Sequence, residues 1–103
     1  MRLPKPLSFQ WGKGNIEKNF KKHKITNKET EEIFFNKPLR IFADNKHSQI
    51  EERFEAFGIT NNAKKLTIIF TVRDQEIRVI SARIQNKKER REYEKEIKAN
   101  TGI

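Results

Sequence analysis

The densest run of chemically capable side chains is Arg78-Val79-Ile80-Ser81-Ala82-Arg83, followed by Lys87-Lys88-Glu89-Arg90-Arg91-Glu92-Tyr93. Arginine stays charged at any physiological pH and offers a fork of donors that matches phosphate oxygens, so it serves as a binder and charge stabiliser rather than a proton carrier. Arg53, Arg73, Arg78 and Arg83 all fall in or beside segments that pattern as strands. On adjacent strands they form a cluster poor in carboxylates, which suits a phosphate. The competing reading is ion pairing to acids such as Glu76 or Glu55. Arg78 and Arg83 are five apart, so on a regular strand they face opposite sides. Either a bulge or the strand end re-aims one of them, or only one acts. A bend just before Asn86 is expected to turn Arg83 toward the face of Arg78. The two histidines carry no metal-ligand spacing. His23 stands beside Lys21, Lys22 and Lys24, where a helix C-terminus favours it. His47 lies in a polar loop, as a mobile acid–base group or a solvated one.

Composition narrows the classes. The chain has 103 residues, enough for one domain and too few for a deep enclosed pocket. Charged residues make up 36%, well above the usual ~25%. The net charge of +9 favours a polyanionic partner. Residues 1–30 carry +6, residues 31–60 carry −2 and residues 61–103 carry +5, so the two ends can meet as one basic face. With no cysteine there are no disulfides, thiol nucleophile or Cys-based zinc site. No purely apolar run exceeds three residues, which excludes a membrane-spanning helix, and the N-terminus lacks the apolar stretch of a signal peptide. A cytoplasmic location is expected. Eight phenylalanines supply a core.

These side chains need elements to position them. Residues 1–6, with Pro4 and Pro6, read as a flexible tail, and 7–99 as the domain. Leu7, Phe9 and Trp11 alternate with polar neighbours, a short strand. Ile16 and Phe20 mark a helix over about 13–22. Thr26 and Glu29 form a capping box that starts a second helix, ending before Asn36-Lys37-Pro38. Strands follow at Leu39–Ala43 and at Arg53–Ile59, the latter bent at Gly58. Lys65–Arg73 is the strongest strand, and Asp74-Gln75 tips a hairpin returning through Glu76–Arg83. Apolar residues on both faces make these two strands central. Strict alternation puts Arg78, Ile80 and Ala82 on one side and Val79, Ser81 and Arg83 on the other. Asn86 and Glu89 form a second capping box, and Tyr93 and Ile97 lie on one side of the final helix. The expected fold is α+β: a small antiparallel sheet of four to five strands, two N-terminal helices and one C-terminal helix, with helices on one face.

Phe9-x-Trp11 and then Asn19-x-x-Lys22-His23-x-Ile25 resemble the opening of the BrnT family of type II toxins. Asp44, His47-Ser48, Glu52-Arg53-Phe54 and Gly58 resemble its middle. The closest match is Ile77-Arg78-Val79-Ile80-Ser81-Ala82-Arg83 with Glu89-Arg90-Arg91-x-Tyr93-Glu94. The resemblance spans about residues 9–95, with Gly12 in place of the family's usual Asp and Lys24 in place of its usual Gly. It implies a RelE-like fold and a ribonuclease activity that blocks translation, and no cofactor is expected. It also implies a BrnA-like ribbon-helix-helix antitoxin, in a complex of two toxins and two antitoxins that binds operator DNA.

RNA can be cut without a metal, because its 2′-hydroxyl is an internal nucleophile. The reaction then needs a proton acceptor, cations for the dianionic phosphorane and an acid for the 5′-oxygen. Arg53, Arg78 and Arg83 are the candidates for the phosphate. Glu89, Tyr93, His23 and His47 are the candidates for proton transfer or for orienting the arginines, with helix capping a rival role for Glu89 and core packing one for Tyr93. Lys21, Lys22, Arg73, Lys87, Lys88, Arg90 and Arg91 would hold the RNA backbone. Two other classes fit the same basic face: a non-catalytic nucleic-acid-binding module, and an interaction protein that holds an acidic partner.

Overall fold

A computed structural model describes residues 2–12, 24–47 and 51–100. In chain order the elements are β1 (Phe9–Gln10), α1 (Asn27–Glu32), β2 (Arg40–Ala43), a 3-10 turn (Asn45–His47), β3 (Phe54–Ile59), β4 (Lys65–Arg73), β5 (Glu76–Ile84) and α2 (Lys87–Asn100). The five strands form one sheet in the order β1-β5-β4-β3-β2. β2 to β5 are the expected antiparallel meander. β1 instead pairs parallel with β5, Phe9 against Ile77 and Gln10 against Arg78, so the sheet is mixed rather than antiparallel. β1 and β2 lie at opposite edges, and α1, which falls between them in the chain, packs on the core side of the sheet. The helix expected over 13–22 lies outside the described residues.

Local chemistry accounts for the elements. The Glu29 backbone N–H donates to the Thr26 hydroxyl at 3.1 Å, and the Thr26 N–H donates to the Glu29 carboxylate at 3.0 Å, the capping box read from the sequence. Asp74 and Gln75 both take positive φ, 53° and 65°, which matches the tight turn to the twist of β4 and β5. β3 runs unbroken through Gly58 rather than bending there. A Cβ at Gly58 would lie 2.7 Å from the Ile33 Cβ, so glycine is what lets the end of α1 settle on the sheet.

The core lies on the α1 side. Leu66, Ile68 and Phe70 of β4 meet Ala82 and Val79 of β5 and Phe54 and Ala56 of β3, with Ile25, Ile33 and Phe34 above them. Phe70 is fully buried, with Phe34 edge-on at 5.3 Å and Phe54 at 5.5 Å. α2 packs on the opposite side, where Thr67 reaches Glu89, so the helices flank the sheet instead of sharing one face. The two-faced apolar pattern of β4 has this cause: Thr67 and Thr71 on the second face are buried as well. Among the described residues no helix is long and apolar enough to cross a membrane.

Candidate active site

The second face of the sheet brings the arginines together, through one irregularity in β5. Ser81 stands opposite Ile69 and Val79 opposite Phe70, which leaves Ile80 as an extra residue without a partner on β4. This bulge resets the alternation. Ile77, Val79 and Ala82 face the core, and Arg78, Ser81 and Arg83 share the other face opposite Thr71, Ile69 and Thr67. The expected placement of Ala82 beside Arg78 is thereby corrected, since Ala82 is fully buried in the core. The re-aiming comes from a bulge inside the strand and not from a bend at its end. With β3, the face has three rows. Phe57, Thr67 and Arg83 make one row, and Glu55, Ile69 and Ser81 the next. Thr71 and Arg78 make the third, with Arg53 one residue beyond the last paired position of β3. Four residues of β4 separate the outer rows, a span of about 13 Å at ~3.3 Å per residue.

The two ends of this face differ. At one end Glu51 pairs with Arg73 at 2.8 Å. That hydrogen bond is the main cause of the lowered pKa of Glu51, and the fields of Arg53 and Arg78 add to it. Arg53, Arg73 and Arg78 therefore converge around one carboxylate. The Arg78 guanidinium makes no hydrogen bond or ion pair among the described residues and lies near Gly12, where a Cβ would be 3.8 Å from it.

At the other end Arg83 forms a bidentate pair with Glu89, 2.7 Å and 2.8 Å. Glu89 also accepts from the Thr67 hydroxyl at 3.1 Å and from the Asn86 N–H at 2.9 Å. The Asn86 side chain accepts in return from the Glu89 N–H at 2.8 Å, completing the second capping box. The Arg83 hydrogen bond is the largest influence holding the Glu89 carboxyl below the usual range. A carboxylate so committed caps α2 and fixes a planar cation in the groove.

Between the sheet and α2 runs an open groove of about 440 Å³, lined by Phe42, Glu55, Phe57, Glu89 and Tyr93 among others. Phe42 is 47% exposed and stacks edge-on with Phe57 at 5.8 Å. The Tyr93 ring is buried, its hydroxyl donates to the Pro38 carbonyl, and burial pushes its pKa up to about 12. Tyr93 thus anchors α2 to the chain entering β2. Lys87, Lys88, Arg90 and Arg91 are exposed on the first turns of α2. Lys21, Lys22 and His23 lie outside the described residues. His47 closes the 3-10 turn, and its side chain lies outside them too. Among the described residues no three His, Asp or Glu side chains group as metal ligands.

A family profile described as "Ribonuclease toxin, BrnT, of type II toxin-antitoxin system" matches residues 11–89, most of the chain and every strand from β2 to β5. The chain belongs to the BrnT family. The matched segment contains Arg53, the Ile80 bulge, Arg78, Arg83 and Glu89. A search of curated proteins found no match to the chain. BrnT membership makes this a ribonuclease toxin of a type II system, in which an antitoxin is the partner. One groove residue, Glu55, stands out only in the folded chain. The sequence marks it as a possible partner for an arginine, and only the three-dimensional setting gives it a place between Arg78 and Arg83.

Proposed function

We propose that the chain is a metal-independent endoribonuclease that cuts RNA by attack of the 2′-hydroxyl on the adjacent phosphate and so stops translation. The observation that carries this reading is the Ile80 bulge, which gathers Arg78 and Arg83 on one accessible face of the sheet. Arg53 and Arg78 approach the scissile phosphate from one side, and Arg83, oriented by its bidentate pair with Glu89, from the other. Fixed cations of this kind stabilise the dianionic phosphorane more than the singly charged ground state. Arg73, Lys21, Lys22, Lys87, Lys88, Arg90 and Arg91 track the flanking phosphates. His23 and His47 are the proposed acids for the 5′-oxygen. Tyr93 supports the groove wall.

The proposed partner is a BrnA-like ribbon-helix-helix antitoxin in a complex of two toxins and two antitoxins that binds operator DNA, and the proposed location is the cytoplasm. Induction of the chain alone in bacteria is expected to halt growth and amino-acid incorporation, and co-expression of the antitoxin to restore both. Normal growth and undiminished translation with abundant folded protein would contradict an active toxin.

A further inference from the structure

The cations of the site are assigned above, but none of them can take the proton from the attacking 2′-hydroxyl. Glu89 is a poor acceptor, because its carboxylate is already filled by Arg83, Thr67 and the Asn86 backbone. The second face offers another carboxylate. Glu55 sits in the middle row with Ile69 and Ser81, flanked along the strands by the Arg53–Arg78 row and the Phe57–Arg83 row. It is half-buried in the groove wall, and among the described residues it accepts no hydrogen bond and forms no ion pair. A phosphate held between Arg78 and Arg83 would lie over Ile69 and Ser81, within reach of this carboxylate.

We propose that Glu55 is the general base of the cleavage reaction, a catalytic residue that contacts the 2′-hydroxyl of the nucleotide whose phosphate the arginines hold. This rests on the ribonuclease reading above. In the step, the O–H bond of the 2′-hydroxyl breaks and its proton passes to Glu55 as the 2′-oxygen bonds to phosphorus. The P–O5′ bond then breaks, and its electron pair leaves on the 5′-oxygen, which takes a proton from the histidine acid or from water. The products are a 2′,3′-cyclic phosphate and a 5′-hydroxyl. Glu55 returns its proton to solvent before the next turnover.

The surroundings suit that task. Burial is the main cause that raises the Glu55 pKa above the ordinary carboxylate value, and the negative charge of Glu89 adds to it, against the pull of Arg83. A base with a raised pKa binds the transferred proton more readily. The charged groups facing it are Arg40 and Asp44 from β2 and the turn after it, Arg83 from β5, and Lys88, Glu89, Glu92 and Glu96 from α2. Of the two carboxyls that act on Arg83, Glu89 is shifted down and Glu55 up, so their roles separate.

The test is single-turnover cleavage of a labelled RNA across pH 4–8 by the wild type, Glu55→Gln and Glu55→Asp, with RNA affinity and thermal melts measured on each. The wild-type rate is expected to climb with pH on the acid side and then level. Glu55→Gln should melt like the wild type and bind RNA at least as tightly. It should cleave roughly 10²- to 10⁴-fold more slowly and lose the acid limb. Glu55→Asp should keep the limb at a reduced rate, which preserves the test if the glutamine variant folds poorly. A glutamine variant with the wild-type rate, or either variant slowed while the acid limb is unmoved in Glu55→Gln, would overturn the assignment and leave the ribonuclease reading intact. Absence of cleavage by the well-folded wild type would overturn both.

Discussion

Arg78→Ala is expected to lower the single-turnover cleavage rate by about 10²–10³, the cost of removing one preorganised contact to a developing oxyanion. Its melting behaviour should hardly change. The Arg78 guanidinium makes no ion pair among the described residues, and substitutions of such groups usually stay within about 0.5 kcal/mol. Arg83→Ala should lose a similar factor in rate but melt earlier. It leaves the Glu89 carboxylate without its cation, a loss of about 1 kcal/mol once the one-third exposure of Arg83 is discounted. Cleavage assays, melts followed by circular dichroism and antitoxin binding on both variants separate the two effects. A folded Arg78→Ala protein that cleaves at the wild-type rate would remove Arg78 from the site. A strongly destabilised one would make it a structural residue.

Phe70→Ala is expected to cost about 3–5 kcal/mol, the range for removing a fully buried phenylalanine. The ring bridges Phe34 on one side and Phe54 on the other, so its loss opens the core where α1 meets β3 and β4. The same strands present Glu55, Ile69 and Thr71 on their opposite face, so the arginine rows depend on this packing. Against a total stability of about 5–15 kcal/mol, a loss of this size leaves a marginal or unfolded domain. Urea unfolding followed by circular dichroism reads the loss directly, and cleavage should fall in proportion to the folded fraction. A change below about 1 kcal/mol would contradict the central place given to Phe70.

These contrasts show which parts of the molecule local sequence encodes. Both capping boxes, Thr26 with Glu29 and Asn86 with Glu89, are legible because each is closed by residues three apart. The meander is legible because β4 and β5 are long and joined by a two-residue tip. β1 is only two residues long, and nothing near Phe9 specifies β5 as its partner or a parallel direction. The opposed placement of the helices follows from how much of each face is buried, which alternation alone does not weigh. The Ile80 bulge has no glycine to mark it. Spacing shows only that Arg78 and Arg83 need some such break if both are to act. Glu55 is harder still, since its raised pKa comes from burial and from Glu89, 34 positions away in the chain.

The most direct measurement of the central claim is incubation of the purified chain with a 5′-labelled RNA in excess EDTA, followed by analysis of the new ends. Cleavage is expected at a rate unaffected by the chelator, with 2′,3′-cyclic phosphate on the upstream fragment and a 5′-hydroxyl on the downstream one. RNA that is bound with a steep salt dependence but left intact, or cleavage restored only by adding back a divalent ion, would contradict it.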